Sequence, residues 1–242
     1  MNIDINIEVG HTAAGAITTG EAAKLAMQQA GVDRAVVSCP ESARGDFVKG
    51  NAKTLAVMAE AESLLGWVVV NPGYAEVAAE EMRRYLANPR FVGVTLHMGG
   101  MGLGDVADVK AILSVFRRYG KPIRYWCMTP EQVSMLSDLM ADYASMKYVI
   151  GAGDWDTWRR ATLEGSRRPA MHLDISGVPY RTRLQTAIDA MGPNRILFGS
   201  GAPRVRPSVM KRLVESAALS SDVKECLMSK NAARLFQWLG SQ

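Results

Sequence analysis

The sequence predicts an α/β protein of the (β/α)8 TIM-barrel class, and two observations lead to this prediction. Eight short apolar runs recur at near-regular intervals, and the stretches between them have helical periodicity. A chain of 242 residues, 48% of them hydrophobic, is long enough to fill one barrel core. No linker rich in proline, glycine or serine divides the chain, so we expect a single domain over residues 1–242.

The predicted strands are short and rich in β-branched residues, as in a buried parallel sheet. They are Ile3–Val9, Arg34–Ser38, Trp67–Asn71, Val92–His97, Pro122–Cys127, Lys147–Gly151, Ala170–Ser176 and Arg195–Ser200. The first run alternates strictly between apolar and polar residues, which predicts two different faces. We expect its isoleucines to meet the helices and its polar residues to point at the barrel axis. Those polar residues are Asp4, Asn6 and Glu8.

Helices are predicted in the gaps between the strands, and several of their ends carry capping residues. Gly31 ends the first helix, and Thr129 followed by Pro130 begins another. Asp105 is a predicted cap, and the glycine-rich stretch 99–104 before it predicts a loop. The predicted helices cover 20–30, 46–62, 75–86, 105–119, 130–144, a segment starting near 154, 180–191, 207–219 and 221–239.

Composition and charge exclude several classes of protein. The net charge of +4 is small and its acids and bases are interspersed, so nucleic acid is not an expected partner. No apolar run approaches the ~20 residues that a membrane-spanning helix needs. The cysteines Cys39, Cys127 and Cys226 are too far apart for a zinc or redox motif, and they predict reduced thiols. We expect a soluble cytoplasmic protein that binds a small-molecule ligand. The protein would form a homo-oligomer if the helical faces of two copies associate.

Several stretches of the chain resemble one family of barrel proteins. Residues 3–10 resemble its opening strand, and Gly93–His97 resembles its fourth strand. Arg195–Pro203 resembles its eighth strand, and Asn231–Phe236 resembles its C-terminal helix. The chain is thus similar to the amidohydrolase-related superfamily, in the branch of the aminocarboxymuconate semialdehyde decarboxylase-like proteins. This resemblance implies a distorted barrel with an extra C-terminal helix, and by family a hydrolase or a carboxy-lyase.

The resemblance also implies where a zinc or manganese ion would bind in active members. They place a His-x-His pair on the first strand, histidines at the ends of the fifth and sixth strands, and an aspartate on the eighth. The corresponding residues in this sequence are Asn6, Glu8, Trp126, Ala152 and Gly201. Of these only Glu8 is a good ligand, whereas a catalytic zinc site needs about three protein ligands. We therefore expect a degenerate metal site and no metal cofactor.

Two residues are candidates for catalysis at the mouth of the barrel. Glu8 is expected to point inward, and a desolvated carboxylate there could act as a base. The alternative is a buried glutamate paired with a cation such as Arg124. His97 ends the fourth predicted strand and is the retained family histidine. It could be a base, a substrate contact or a metal ligand, and the alternative is a hydrogen-bonded residue of the pocket wall.

Four residues are candidates for ligand binding: Asn6, Trp126, Ser176 and Arg204. Trp126 is expected to fill part of the cavity that a metal and its water would take. The loops after the seventh and eighth strands, where barrels commonly bind phosphate, contain Ser176 and Arg204. The planar guanidinium of arginine suits carboxylate or phosphate, so we expect Arg204 to contact an anionic ligand.

The main functional hypothesis is a barrel that has lost its metal. Such a barrel would bind a small anionic or aromatic molecule, or would catalyse a metal-independent reaction with Glu8 and His97. The first alternative is a metal-dependent hydrolase or decarboxylase with an unusual ligand set that includes the same two residues. The second alternative is a non-catalytic scaffold or regulatory homologue, that is, a pseudoenzyme.

Overall fold

The computed structural model describes residues 1–12, 15–39, 46–97, 106–177 and 180–237. Eight parallel strands form one sheet, in the order of the chain, and this confirms the predicted (β/α)8 barrel. The strands of this sheet are β1 (Ile3–Glu8), β4 (Arg34–Ser38), β5 (Leu64–Val70), β6 (Phe91–His97), β7 (Ile123–Cys127), β8 (Tyr148–Ala152), β9 (Met171–Asp174) and β10 (Ile196–Leu197). A separate antiparallel hairpin follows β1 and consists of β2 (Gly10–Thr12) and β3 (Gly15–Ile17).

Helices occupy the predicted gaps, and none in the described part of the chain is long and apolar enough to cross a membrane. They are α1 (Gly20–Ala30), α2 (Phe47–Ala59), α3 (Ala75–Tyr85), α4 (Val106–Phe116), α5 (Pro130–Ala141), α6 (Trp155–Arg167), α7 (Arg181–Met191), α8 (Pro207–Glu215), α9 (Ser221–Glu225) and α10 (Asn231–Leu235). Gly31 ends α1 with a positive φ of 62°, and Thr129 caps α5, both as predicted. Asp105 and the glycine-rich stretch 99–104 lie outside the described residues.

The barrel closes between its first and last strands through main-chain hydrogen bonds. Ile7 and Ala202 form a parallel bridge, and the Gly201 N–H donates to the carbonyl of Asn6 at 2.9 Å. Both contacts lie beyond the two-residue ladder of β10, on the side where the strands end. The C-terminal ends of β1 and β10 are therefore neighbours at the mouth of the barrel.

A β-bulge in β1 interrupts its pairing with β4. Asp4 pairs with Ala35 and Ile7 pairs with Val37, so three steps along β1 oppose two steps along β4. The extra residue reverses the alternation of side chains along β1, because successive residues of a strand face opposite sides. Asp4 therefore shares the outer face of the sheet with Ala35, which packs in the core between sheet and helices.

Because of the bulge, several side chains of the first strand face the side opposite to the predicted one. Ile3 and Ile5, expected to meet the helices, belong to the apolar core on the barrel axis, whereas Ile7 packs in the outer core. Glu8 lies beyond the bulge and pairs with Ser38, which places these two residues on the axial face as predicted for Glu8. The prediction for Asp4 was wrong because it assumed an unbroken period of two.

The lower half of the barrel interior, at the N-terminal ends of the strands, is apolar and is closed by α10 and the residue after it. The Phe236 ring meets the Trp67 ring edge-on, with 5.6 Å between centroids. This lower interior contains Ile3, Ile5, Val36, Leu65, Trp67, Val92, Val149 and Leu197, with Ala232, Ala233, Leu235 and Phe236 beneath them. The end of the barrel that remains for a ligand is the C-terminal mouth.

Candidate functional site

The upper interior of the barrel contains a buried ion pair between β7 and β9. Arg124 donates from Nε and Nη2 to Oδ2 of Asp174, at 3.0 and 2.9 Å, and from Nη1 to the hydroxyl of Thr95 at 3.3 Å. The side chains of Arg124 and Asp174 are at most 2% exposed. Buried charges are tolerated when they are paired and hydrogen-bonded, and this pair is both. The carboxylate that the structure places against Arg124 is thus that of Asp174.

Ser176, a predicted ligand-binding residue, lies fully buried beside this ion pair. Its main-chain N–H and its hydroxyl both donate to Oδ1 of Asp174, the N–H at 2.8 Å. Asp174 therefore accepts from Arg124 on one oxygen and from Ser176 on the other. In this arrangement the serine hydroxyl fixes the orientation of the carboxylate.

Trp126 lies one layer above Arg124, because it follows two residues later on β7 and side chains repeat every two residues. Its side chain is 9% exposed, so it occupies interior volume near the mouth, as predicted. The ring packs against Gly151, its partner on β8, where an added β-carbon would lie only 2.4 Å from Cε3. The indole fits because the neighbouring strand carries no side chain at this point.

Two guanidinium groups contact the Trp126 ring. The Cζ atom of Arg124 lies 5.4 Å from the ring centroid, and that of Arg204 lies 5.2 Å from it. Both distances are typical of cation–π contacts. Arg204 follows β10, so its side chain extends across the mouth toward β7. We refer to Trp126 and Arg204 as the inner pair.

Arg204 also lies over two glycines with positive φ at the ends of β9 and β10. A β-carbon on Gly177 would be 3.5 Å from Nη2 of Arg204, and one on Gly201 would be 3.7 Å from it. Arg204 is exposed, and no carboxylate in the described ranges lies within ion-pair distance of its guanidinium. The mouth therefore presents a positive charge that is held in place by the Trp126 ring.

Asn6 and Asp4 lie buried where β1 meets the segment after β10. Oδ1 of Asp4 accepts from the N–H groups of Asn6 and Ser200, at 3.0 and 2.9 Å. Burial raises the pKa of Asp4 to about 7, although those hydrogen bonds lower it in part. Nδ2 of Asn6 and Oδ2 of Asp4 have no hydrogen-bond partner among the described residues. A buried donor without an acceptor costs about 1–3 kcal/mol, and Nδ2 of Asn6 is such a donor with respect to the described residues.

The two candidate catalytic residues lie at the ends of different strands. Glu8 ends β1 and is partly exposed, whereas His97 ends β6 and pairs in register with Trp126. β4 and β5 separate β1 from β6 in the sheet. The side chain of His97 lies outside the described part of the structure, so the proximity of these two groups stays a prediction. Asp154, which follows β8, caps α6, since its two oxygens accept from the N–H and hydroxyl of Thr157 at 2.9 and 2.8 Å.

Sequence reasoning missed a second arginine–aromatic group on the rim of the mouth. The Cζ atom of Arg183 lies 5.0 Å from the Trp155 ring centroid and 5.1 Å from that of Tyr180. Trp155 is 41% exposed and Tyr180 57% exposed, while Trp158 is fully buried. No sequence pattern signals such contacts, because the rings come from two different loops. We refer to Trp155, Tyr180 and Arg183 as the rim cluster.

Comparisons with known proteins agree on the family and the fold. The model of a family described as Amidohydrolase matches residues 15–238. A putative amidohydrolase from Staphylococcus aureus has a similar structure, with a TM-score of 0.80 and 15% identity, covering 98% of this chain and 99% of that one. The 5-carboxyvanillate decarboxylase of Sphingomonas paucimobilis superposes with a TM-score of 0.76 at 15% identity, covering 98% of each chain.

A third solved structure bears on cofactors. It is a dihydroxybenzoic acid decarboxylase from Polaromonas with bound manganese and the inhibitor 2-nitroresorcinol, and it has a TM-score of 0.72 and 13% identity. The match covers 99% of this chain and 98% of that chain. No curated protein matches the sequence.

The expectation of no metal cofactor is corrected by these structures, because barrels similar to this one hold manganese. The sequence prediction treated five substituted positions as the whole ligand set. Manganese also accepts carboxylate, carbonyl and water oxygens, so other residues can ligate it. Among the described residues, however, no three His, Cys, Asp or Glu side chains come together in a metal-binding arrangement. The described residues alone therefore do not fit a metal centre with three protein ligands. Glu8 is the carboxylate at the C-terminal end of β1, on the axial face of the sheet.

Proposed function

Because the chain belongs to the amidohydrolase family, we propose that it binds a small aromatic carboxylate at the C-terminal mouth and acts on it as a decarboxylase or hydrolase. The observation that carries the proposal is the inner pair. Arg204 is exposed at the mouth, lies 5.2 Å from the Trp126 ring centroid, and has no carboxylate partner among the described residues. A planar guanidinium held in this way matches the two oxygens of a carboxylate.

The charges of the two stacked arginines support a site at Arg204 rather than deeper in the barrel. Arg124 is neutralised by Asp174 and is almost completely buried, so it offers little attraction to a further anion. Arg204 is reachable from solvent and keeps its charge for a ligand. The ring of Trp126 is mostly covered, which makes it a support for Arg204 more than an open surface for stacking.

Two of the similar structures support an aromatic acid as the ligand class. They are a 5-carboxyvanillate decarboxylase and a dihydroxybenzoic acid decarboxylase. Decarboxylation of such an acid replaces a ring carboxylate by hydrogen and releases carbon dioxide, so a proton has to reach the ring carbon. Glu8 and His97 are the candidates for holding that proton, and they are also the candidate ligands of a metal-dependent enzyme with an unusual ligand set.

Calorimetric titration with 2,6-dihydroxybenzoate and with resorcinol, which lacks the carboxylate, tests the binding step. The wild-type protein, with and without added Mn²⁺, should bind the acid at least about 10-fold more tightly than resorcinol. Arg204→Gln should remove that difference, a loss of about 1.4 kcal/mol or more. Arg206→Gln is the matched control, because it removes an exposed arginine two residues away that contacts no aromatic ring among the described residues. Equal losses for the two variants would overturn the assignment of Arg204.

The reaction itself is tested by carbon dioxide release from the same acid in the presence of Mn²⁺. Glu8→Gln and His97→Gln should each lower turnover by about 100-fold or more if their side chains move the proton or hold the ion. The Arg206→Gln control should retain the wild-type rate. Full activity in both variants would exclude these residues from the reaction while leaving the binding proposal intact.

A further inference from the structure

We propose that Asp174 is a positioning residue for anion binding, because it holds the guanidinium of Arg204 in one orientation at the mouth. This inference rests on the proposed function, in which Arg204 binds the carboxylate of the ligand. Asp174 acts through other residues and not by touching the ligand. Each oxygen of its carboxylate begins a separate series of contacts, and both series end at Arg204.

The first series begins at Oδ2 of Asp174 and runs through β7. Arg124 donates to this oxygen from Nε and Nη2, at 3.0 and 2.9 Å, and two bonds of this kind fix the plane of its guanidinium. The Cζ atom of the same group lies 5.4 Å from the centroid of the Trp126 ring, and that of Arg204 lies 5.2 Å from it. The ring that supports Arg204 is therefore itself supported by a group that Asp174 holds.

The second series begins at Oδ1 and runs through the turn after β9. The N–H and the hydroxyl of Ser176 both donate to this oxygen, which fixes the turn that leads into Gly177. The Gly177 N–H donates to the carbonyl of Ser200 at 3.1 Å, so the turn is tied to the segment after β10. A β-carbon on Gly177 would lie 3.5 Å from Nη2 of Arg204. The guanidinium thus lies against the main chain of a turn that Asp174 holds.

The carboxylate of Asp174 is well suited to be the fixed point of both series. It accepts from four donors, two on Arg124 and two on Ser176, and a carboxylate offers about four acceptor positions. The side chains of Asp174 and Arg124 are at most 2% exposed, and hydrogen bonds are electrostatically stronger in such an interior than in water. The orientation of the carboxylate is therefore determined from all sides.

Support of this kind increases the affinity for an anion by reducing what binding costs. A free arginine side chain loses rotamer freedom when it binds a carboxylate, whereas a guanidinium already held in place loses less. Removal of Arg124 and Asp174 together takes away one positive and one negative charge, so the net charge of the protein stays the same. A change in anion affinity in such a variant reports on the orientation of Arg204 rather than on long-range attraction.

The test is a calorimetric titration with benzoate and with benzamide, its uncharged isostere, at one fixed ionic strength. The wild-type protein should bind benzoate at least about 10-fold more tightly than benzamide, which corresponds to about 1.4 kcal/mol. Arg124→Met/Asp174→Leu should reduce this preference to less than about twofold, while the affinity for benzamide changes by less than about twofold, because only the carboxylate depends on Arg204.

The matched control is Arg168→Met/Asp138→Leu. It removes another net-neutral arginine–aspartate pair, whose N···O distance is 2.7 Å, and Arg168 precedes β9 at the end of the barrel opposite to the mouth. This variant should keep the wild-type preference for benzoate. Circular dichroism checks that each variant is folded. If Arg124→Met/Asp174→Leu does not fold, Ser176→Ala decides, because it keeps both charges and should still lower the preference by at least about twofold through the loss of one hydrogen bond.

The possible failures of the two proposals are distinguishable. A wild-type protein that does not prefer benzoate to benzamide would overturn the proposed function and this inference with it. A wild-type preference that survives in Arg124→Met/Asp174→Leu, or in Ser176→Ala where that variant decides, would overturn only the role of Asp174. Equal losses for benzoate and benzamide would also overturn that role, because the whole mouth would then have loosened. So would loss of the preference in the control.

Discussion

The lower and the upper interior of this barrel are built by the same strands and differ completely in chemistry. At the level of Trp67 the axial side chains are apolar, and Phe236 closes the barrel beneath them. Above this level, the side chain of β7 that points to the axis is Arg124, which is paired with Asp174. Trp126 is the next side chain of β7 on the same face. Barrels place stability at the N-terminal face and chemistry at the C-terminal face. In this protein the division occurs within the length of single strands.

The two regions also differ in how they contribute to stability. Each buried side chain of the lower interior is stabilised by removal of apolar surface from water. The ion pair of the upper interior gains little net energy, because desolvation of both charges opposes their attraction. Loss of one partner is nevertheless costly, because the remaining charge stays buried. The stability of the protein is thus more sensitive to a substitution in the upper interior than to one in the lower interior.

The largest effect is expected from Arg124→Met. Asp174 would remain buried without its cation, which typically costs about 3–5 kcal/mol of unfolding free energy. Urea denaturation of the wild-type protein and the variant measures the loss. The double variant Arg124→Met/Asp174→Leu is the control, and it should recover most of the stability because no unpaired charge remains. If Arg124→Met alone lowers the free energy of unfolding by less than about 1 kcal/mol, the ion pair contributes little to stability.

Asp4 should make the stability of the protein depend on pH. Burial raises the pKa of Asp4 to about 7 in the folded protein, whereas an unfolded aspartate titrates near about 3.9. The stabilising contribution is complete below about pH 4 and is lost as pH rises to about 7, because the unfolded chain releases its proton first. The loss is at most roughly 4 kcal/mol.

Asp4→Asn isolates this contribution, because asparagine retains the acceptor for the two N–H groups and does not ionise. The variant should lack the fall in stability between pH 4.5 and 8 that the wild-type protein shows in urea denaturation. Subtracting one profile from the other cancels other titrating groups, including His172, whose pKa is lowered to about 4 by burial. Parallel profiles would show that Asp4 ionises normally.

In the lower interior, Phe236→Ala should cost about 3 kcal/mol, since it removes a large ring from the closed end of the barrel. The variant should bind aromatic acids with the wild-type affinity, because the ring lies at the opposite end from the inner pair. Urea denaturation and the benzoate titration measure the two effects separately. Phe236→Leu is the control and should lose less stability. A parallel loss of affinity in Phe236→Ala would break the division between the two regions.

The sequence predicted the fold well, because hydrophobic periodicity determines strands and helices locally. One strand, Arg34–Ser38, has the predicted bounds, whereas the eighth run, Arg195–Ser200, forms a ladder only over Ile196–Leu197. The helix predicted over 221–239 is interrupted by a π-helical turn, Cys226–Lys230. The bulge in β1 was not predictable, because its own alternation is perfect and the partner strand determines the pairing.

The candidate site was predicted only in part. Trp126 was identified from the family resemblance and Arg204 from its loop after the eighth strand, but their contact depends on how far a side chain extends across the mouth. Asp174 was missed as the partner of Arg124, because aspartate and arginine come from strands 50 residues apart in sequence. The prediction about the cofactor was wrong because it was made from ligand positions alone. Long-range contacts, rather than residue types, are what the sequence could not supply.

The smallest effect on stability is expected from Gly151→Ala, which tests how the inner pair is held. An added β-carbon would lie 2.4 Å from Cε3 and 2.7 Å from Cζ3 of Trp126, so the indole has to move. Overpacking of this kind costs about 1–3 kcal/mol. Displacement of the ring should also loosen Arg204 and weaken binding of aromatic acids.

Gly153→Ala is the matched control, because its β-carbon would come no closer than 3.4 Å to the described atoms, an ordinary contact with Met128. Near-UV circular dichroism should report the displaced indole in Gly151→Ala and no change in Gly153→Ala. Urea denaturation and the benzoate titration complete the comparison. If both variants behave like the wild-type protein, the Trp126 ring is not fixed by the absence of a side chain on β8, and the upper interior tolerates rearrangement as readily as the lower one.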